Sequence, residues 1–114
     1  MTQDGVDGTI RLAIGGDPRA MCVIAVLADT SDDPLVITMA ALVEGHPERL
    51  DRAVSVATTT RDRQVVAIAR AHLDGNDELV DAFAREHLAD YPDSLIVAWI
   101  ASGGVARARR RESR

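Results

Sequence analysis

The chain has 114 residues and a mass of 12.2 kDa, and 46% of its residues are apolar but only 3% are aromatic. This length allows one domain with one core, and the apolar content excludes a disordered chain. The aromatic residues are Phe83, Tyr91 and Trp99, so the core has to be built from Ala, Val, Leu and Ile. Because small side chains let backbones approach closely, this composition predicts helices packed on helices.

The net charge of -5 is distributed unevenly along the chain. Residues 1–104 hold eight arginines and 17 acidic residues, a net charge of -9, whereas residues 105–114 hold five arginines and one glutamate, a net charge of +4. An acidic body disfavours non-specific contact with nucleic acid. Any such contact is therefore predicted to use the C-terminal segment, and the candidate partner-contact residues are Arg107, Arg109, Arg110 and Arg111.

Three further features predict the environment of the protein. Cys22 is the single cysteine, which excludes an intrachain disulfide and a multi-cysteine zinc site. The first residues lack the basic and apolar regions of a secretory signal. The longest apolar run, Ala20 to Ala28, is far shorter than the roughly 20 residues that span a bilayer. We therefore expect a cytoplasmic protein with no membrane partner.

In chain order, the first predicted element is an N-terminal arm, residues 1–16, that is partly extended. Ile10, Leu12 and Ile14 alternate with other residues, which is typical of a strand. A strand needs a partner, and residues 21–27, a second copy of the chain, or simple packing as an extended arm are the alternatives.

The next segment is predicted to be a helix that begins near Asp17. This residue type is a good N-cap, and Pro18 suits the first helical position. The preceding glycines could suggest a phosphate site, but a carboxylate at the cap occupies the backbone donors, so an ordinary capped turn is favoured. Cys22 lies among apolar neighbours and is predicted to be a buried, unreactive thiol.

From Asp32 onward the sequence repeats itself every 30 to 31 residues, with new starts at Asp62 and Asp93 and with Gly45 aligned to Gly75. Such a period is typical of a repeated helical hairpin, in which an acidic cap, an apolar helix, a glycine stop and a second helix follow one another. The first helix of each unit is apolar on most faces, whereas the second carries a single apolar stripe.

These patterns together predict an all-α fold. We expect a short stack of antiparallel helical hairpins with about five to six helices, and a short N-terminal strand or extended arm as an addition to it. The predicted hairpin domain covers residues 1–104, and residues 105–114 are predicted to be a basic C-terminal tail.

The residues around Tyr91, Pro92 and Trp99 form the joint between two of these units. Gly75 and Pro92 have the spacing of a turn and a terminal proline, and Trp99 opens a segment of the type W-x-x-L-G, with Ser102 in the place of the leucine. In these positions the chain resembles the tetratricopeptide repeat family. The resemblance implies a helical-hairpin module that binds other proteins through a groove.

Few residues point to chemistry. His46, His72 and His87 include no i, i+4 pair of the kind that binds a metal on a helix. His87 follows Phe83 on an apolar stripe, which favours a hydrogen-bonded core or interface histidine over a metal ligand. The sequence predicts no catalytic, cofactor-binding or metal-binding residue, and hence a protein that is not an enzyme. A pocket lined by His87 and Arg70 would favour an enzyme instead.

The leading functional hypothesis is a small non-catalytic helical interaction module that forms a homodimer and can bind a protein partner. The apolar segments 21–28 and 95–101 lie near the two ends of the repeat array, where a stack needs polar caps, and self-association would cover them. The alternative is a nucleic-acid-associated regulatory protein that uses the arginine-rich C-terminal tail.

Overall fold

A computed structural model of the protein describes the backbone of residues 3–112 and the side chains of residues 8–108. Residues 3–112 form eight helices and no strand. The helices are α1 (Gln3–Ile14), α2 (Pro18–Ala28), α3 (Pro34–Glu44), α4 (Arg49–Val56), α5 (Thr60–Leu73), α6 (Asp77–Asp90), α7 (Leu95–Ala101) and α8 (Gly104–Glu112). The all-α prediction is confirmed. The number of helices exceeds the five to six predicted, because the N-terminal and C-terminal segments are also helical.

The strand predicted for residues 9–14 is wrong, since these residues belong to α1. Ile10 and Ala13 are buried, whereas Leu12 is 57% exposed. A helix brings residues three apart to the same side, whereas a strand would have buried Leu12 together with Ile10. α1 uses that side to pack against α2, α3 and α7, so the N-terminal segment is a helix of the fold where an extended arm was predicted.

Short-range hydrogen bonds from side-chain caps set the starts of α2, α3 and α5. Asp17 caps α2 and Asp33 caps α3, and each carboxylate accepts a hydrogen bond of 2.9 Å from the backbone N–H two residues further on. Thr59 caps α5, where its hydroxyl accepts from the N–H of Asp62 at 3.1 Å. Asp62 therefore lies in the first turn of α5, three residues after the cap. The repeat pattern predicts the cap at Asp62 itself.

The helix α3 lies at the centre of the fold. Every residue from Val36 to Leu42 is buried, and α3 packs against α1, α2, α4, α5 and α8. Because an apolar helix of this kind has to be covered on all sides, these five helices close around it. The predicted stacking of hairpins is not confirmed, since in a stack each hairpin contacts only its neighbours.

Two arginines of α4 hold the loop that follows α2. The Arg52 guanidinium donates hydrogen bonds to the backbone carbonyls of Ala28 and Ser31. Arg49 pairs with Asp29 at 3.1 Å. Burial alone would lower the pKa of Arg49. Its hydrogen bond with Asp29 and the charge of Glu44 on α3 outweigh this effect, so the pKa of Arg49 is raised. These contacts fix the position of the C-terminal end of α2, and therefore also which side of that helix faces outward.

Candidate functional site

One side of α2 is exposed although it is apolar. Val23 is 41% exposed and Val26 is 69% exposed, and Cys22 beside them is also exposed. The opposite side of the helix is buried in the core by Ala20, Ile24 and Ala28. The prediction of a buried Cys22 is therefore wrong. Its neighbours in sequence are apolar, but only one side of α2 is covered.

Side chains of opposite charge lie at the two ends of this apolar stripe. Arg19 is exposed, one turn before Cys22, and forms no ion pair with a side chain between residues 8 and 108. Asp29, one turn after Val26, contacts Arg49 and still has 67% of its side chain exposed. Residues three or four apart lie on the same side of a helix. We refer to Arg19, Cys22, Val23, Val26 and Asp29 together as the α2 face.

A second surface feature is a groove of about 520 Å³ between α5 and α6. Its apolar part is formed by Ala67 and Ile68 of α5 and by Phe83 of α6, whose side chain is 40% exposed. Glu86 and Asp90 of α6 line the same groove. We refer to these five residues as the α5–α6 groove. Its described lining includes two carboxylates and no arginine.

His87 lies at the inner end of the α5–α6 groove and is only 2% exposed. Its Nδ1 is 2.7 Å from Oε1 of Gln64, and its Nε2 is 2.9 Å from Oγ of Ser94. A neutral imidazole with its proton on Nδ1 donates to Gln64 and accepts from the Ser94 hydroxyl, which satisfies both nitrogens. Burial lowers the pKa of His87, the charge of Arg61 lowers it further, and Asp90 acts in the opposite direction. The prediction of a hydrogen-bonded core histidine is confirmed.

The C-terminal candidate residues lie in α8. Arg107 is exposed and its guanidinium donates to the backbone carbonyl of Ser102 at 3.1 Å. Val105 is fully buried and Ala108 is 8% exposed, so α8 is anchored in the core against α3 and α7 up to that point. The side chains of the other candidates, Arg109, Arg110 and Arg111, lie outside the described residues.

A smaller pocket of about 280 Å³ lies where α1 meets the starts of α3, α5 and α7. Arg11 and Arg61 line it together with Asp62 and Asp93, and Arg61 is paired with Asp93 at 3.1 Å. Its charges are mixed and partly paired with one another, so this pocket shows no clear preference for a cation or an anion.

The histidine and arginine pairing that would have favoured an enzyme is not found among the described side chains. Arg70 contacts Asp51 at 2.8 Å and does not line the groove that holds His87. Within the same residues there is no group of three or more side chains arranged to hold a metal ion. No described helix combines the length and the apolar character needed to cross a bilayer.

Comparison with other proteins finds no matching protein family, no matching curated protein and no matching solved structure. The resemblance to tetratricopeptide repeats therefore stays a prediction from a few residues. The surface features that bear on function are the α2 face and the α5–α6 groove.

Proposed function

We propose that the protein is a small non-catalytic helical interaction module that forms a homodimer through the α2 face. The observation that carries this proposal is the exposed apolar stripe of Cys22, Val23 and Val26 between two opposite charges. Burial of such a stripe against a second copy removes apolar surface from water, which is the main driving force of association.

The distribution of charges favours one arrangement of the two helices. In a two-fold symmetric contact both copies use the same surface, so where one residue contacts a second residue of the other copy, the reverse contact also forms. When two α2 helices run antiparallel about an axis near Ile24, Cys22 lies opposite Val26 of the partner subunit. Arg19 then lies opposite Asp29 of the partner subunit, at both ends of the contact. A parallel arrangement would instead bring like charges together, which disfavours it.

The other apolar segment that suggested self-association needs no second copy. Ile96, Val97, Trp99 and Ile100 of α7 are buried within the protein itself. The α2 face therefore has to provide the dimer contact without help from α7.

Val26→Asp is expected to weaken the dimer at least 100-fold, about 2.7 kcal/mol. Val26 is 69% exposed in the monomer, so the substitution leaves the core unchanged but places a carboxylate in the apolar centre of the contact. Light scattering after size-exclusion chromatography at micromolar concentration should give twice the chain mass of 12.2 kDa for the wild type. The variant should give the mass of one chain.

The matched control is Val54→Asp, because Val54 is 53% exposed on a different helix. This variant should remain a dimer. The antiparallel register can be checked with Val26→Cys, which places a thiol opposite Cys22 of the partner subunit and should give an interchain disulfide on oxidation. A monomeric wild type, or equal effects of Val26→Asp and Val54→Asp, would rule out the α2 face as the dimer contact.

The alternative function is a nucleic-acid-associated regulatory protein, and the observation in its favour is the net charge of +4 in residues 105–114. Removal of that whole segment would also take Val105 and Ala108 out of the core. The test is therefore the combined change of Arg109, Arg110 and Arg111 to Gln. This variant should lose salt-sensitive binding to a short DNA or RNA duplex. A wild-type protein that binds neither duplex at low salt would exclude the alternative.

A further inference from the structure

The α5–α6 groove combines an apolar floor with acidic side chains on one helix. Phe83 of α6 is 40% exposed in the groove, and Leu79, one turn before it on the same helix, is 41% exposed. Glu86 and Asp90 extend the same side of α6 by two further turns. Neighbouring exposed apolar side chains with a polar rim are typical of a binding surface.

We propose that this groove binds a segment of another protein that presents a large apolar side chain next to arginine or lysine. The apolar side chain packs against the exposed Ala67 and Phe83, above the buried Ile68, and so removes apolar surface from water on both sides. A neighbouring cation lies over the exposed ring of Phe83 and forms charge-assisted hydrogen bonds with Glu86 and Asp90.

The two carboxylates are available for such a cation. Glu86 and Asp90 form no ion pair with any side chain that the structure describes. The nearby arginines of α5 and α6 do not line the groove, and all but one have acidic partners of their own. The ion pairs are Arg61 with Asp93, Arg70 with Asp51 and Arg85 with Asp81, while Arg63 is exposed.

The arginine-rich C-terminal segment of the chain fits the groove less well. Val105 and Ala108 are buried between α8 and the core, so they are not free to enter a groove on a second copy. From residue 109 onward the sequence has no apolar residue. That segment can supply cations but no apolar anchor, which favours a different protein as the occupant.

The test is an NMR titration of the ¹⁵N-labelled protein with two synthetic peptides of equal length and leucine content. One peptide carries arginine at its charged positions and the other carries glutamate. The arginine peptide should shift the amide signals of α5 and α6 around Ala67, Phe83 and Glu86, and should bind at least about tenfold more tightly than the glutamate peptide. A third peptide, with the sequence of residues 105–114, should bind more weakly than the arginine peptide.

Substitutions separate the groove from the general acidic charge of the protein. Glu86→Gln combined with Asp90→Asn should weaken binding of the arginine peptide about tenfold or more, and so should Phe83→Ser. The matched control is Asp77→Asn combined with Glu78→Gln, which removes the same charge from the same helix outside the groove. Val26→Asp should not change peptide binding, so this result is independent of the dimer.

Three results would overturn the proposal. These are equal binding of the arginine and glutamate peptides, signal shifts that lie outside α5 and α6, and equal loss of affinity in the groove variant and its control. Tighter binding of the peptide with the sequence of residues 105–114 would instead assign the groove to a second copy of the chain.

Discussion

Gly104→Ala is expected to lower the free energy of unfolding by about 3 kcal/mol. A Cβ atom at Gly104 would overlap Cδ1 and Nε1 of Trp99. These are ring atoms of a side chain that is only 7% exposed, so the ring cannot move aside without disturbing the contact between α7 and α8. The steric cost is larger than the roughly 1 kcal/mol that alanine normally gains over glycine in a helix.

The control for this prediction is Gly8→Ala. Gly8 lies in α1, and a Cβ atom there would have no neighbour within 4 Å. That variant should be as stable as the wild type or more stable by up to about 1 kcal/mol. Urea unfolding followed by circular dichroism measures both variants. A Gly104→Ala protein with wild-type stability would show that the backbone of α8 does not rest on the indole ring of Trp99.

The predicted helix boundaries that held depend on contacts within one turn. Asp17 and Pro18 begin α2 as predicted. Gly45 ends α3 with a φ of 72°, a conformation that glycine adopts without strain. Caps and glycine stops involve only neighbouring residues, so a single sequence contains all the information that they need. The position of α7 against α8 depends on residues that meet only after folding, which is why the close approach of Gly104 to Trp99 was not predicted.

The strand predicted near Ile10 and the burial predicted for Cys22 are both wrong because packing between helices decides them. Ile10 and Ile14 are spaced for one face of a strand and equally for one side of a helix, and so short a segment cannot distinguish the two periods. Ala13 is buried together with Ile10, three residues before it, as happens on one side of a helix and not on one face of a strand. For Cys22, apolar neighbours predicted burial, but whether a side of α2 is covered depends on which other helices reach it.

The candidate site was predictable only in part for the same reason. The apolar stripe that contains Phe83 and His87 indicated a buried histidine, and His87 is buried. Its partners Gln64 and Ser94 lie 23 and 7 residues away along the chain, and no local pattern connects them with His87. The only signal for Gln64 was a polar residue next to the apolar run of α5. The groove itself depends on the separation of two helices, which periodicity does not give.

The stability of the protein is expected to fall on mild acidification because of His87. Its burial, followed by the charge of Arg61, lowers the pKa of His87 below the ordinary value of about 6.5, although Asp90 acts in the opposite direction. In the unfolded chain His87 regains that ordinary pKa. At a pH below that ordinary pKa and above the folded pKa, the unfolded state binds a proton that the folded state does not bind, so acid favours unfolding. The loss begins near the unfolded pKa and continues until the pH reaches the lower folded pKa.

The expected slope is at most about 1.4 kcal/mol per pH unit in that window, the value for one proton. The His87→Gln variant lacks the titrating imidazole, so its free energy of unfolding should change less between pH 7.5 and 5 than that of the wild type. At pH 7.5 the variant should be less stable than the wild type, because one hydrogen bond of the buried side chain is weakened. The matched control is His46→Gln, the same substitution at an exposed histidine. Urea unfolding across this range measures the slopes, and the ring proton signals of His87 report its pKa directly. Identical slopes for His87→Gln and the wild type, or a folded pKa at or above 6.5, would show that the imidazole accepts a proton where it lies between Gln64 and Ser94.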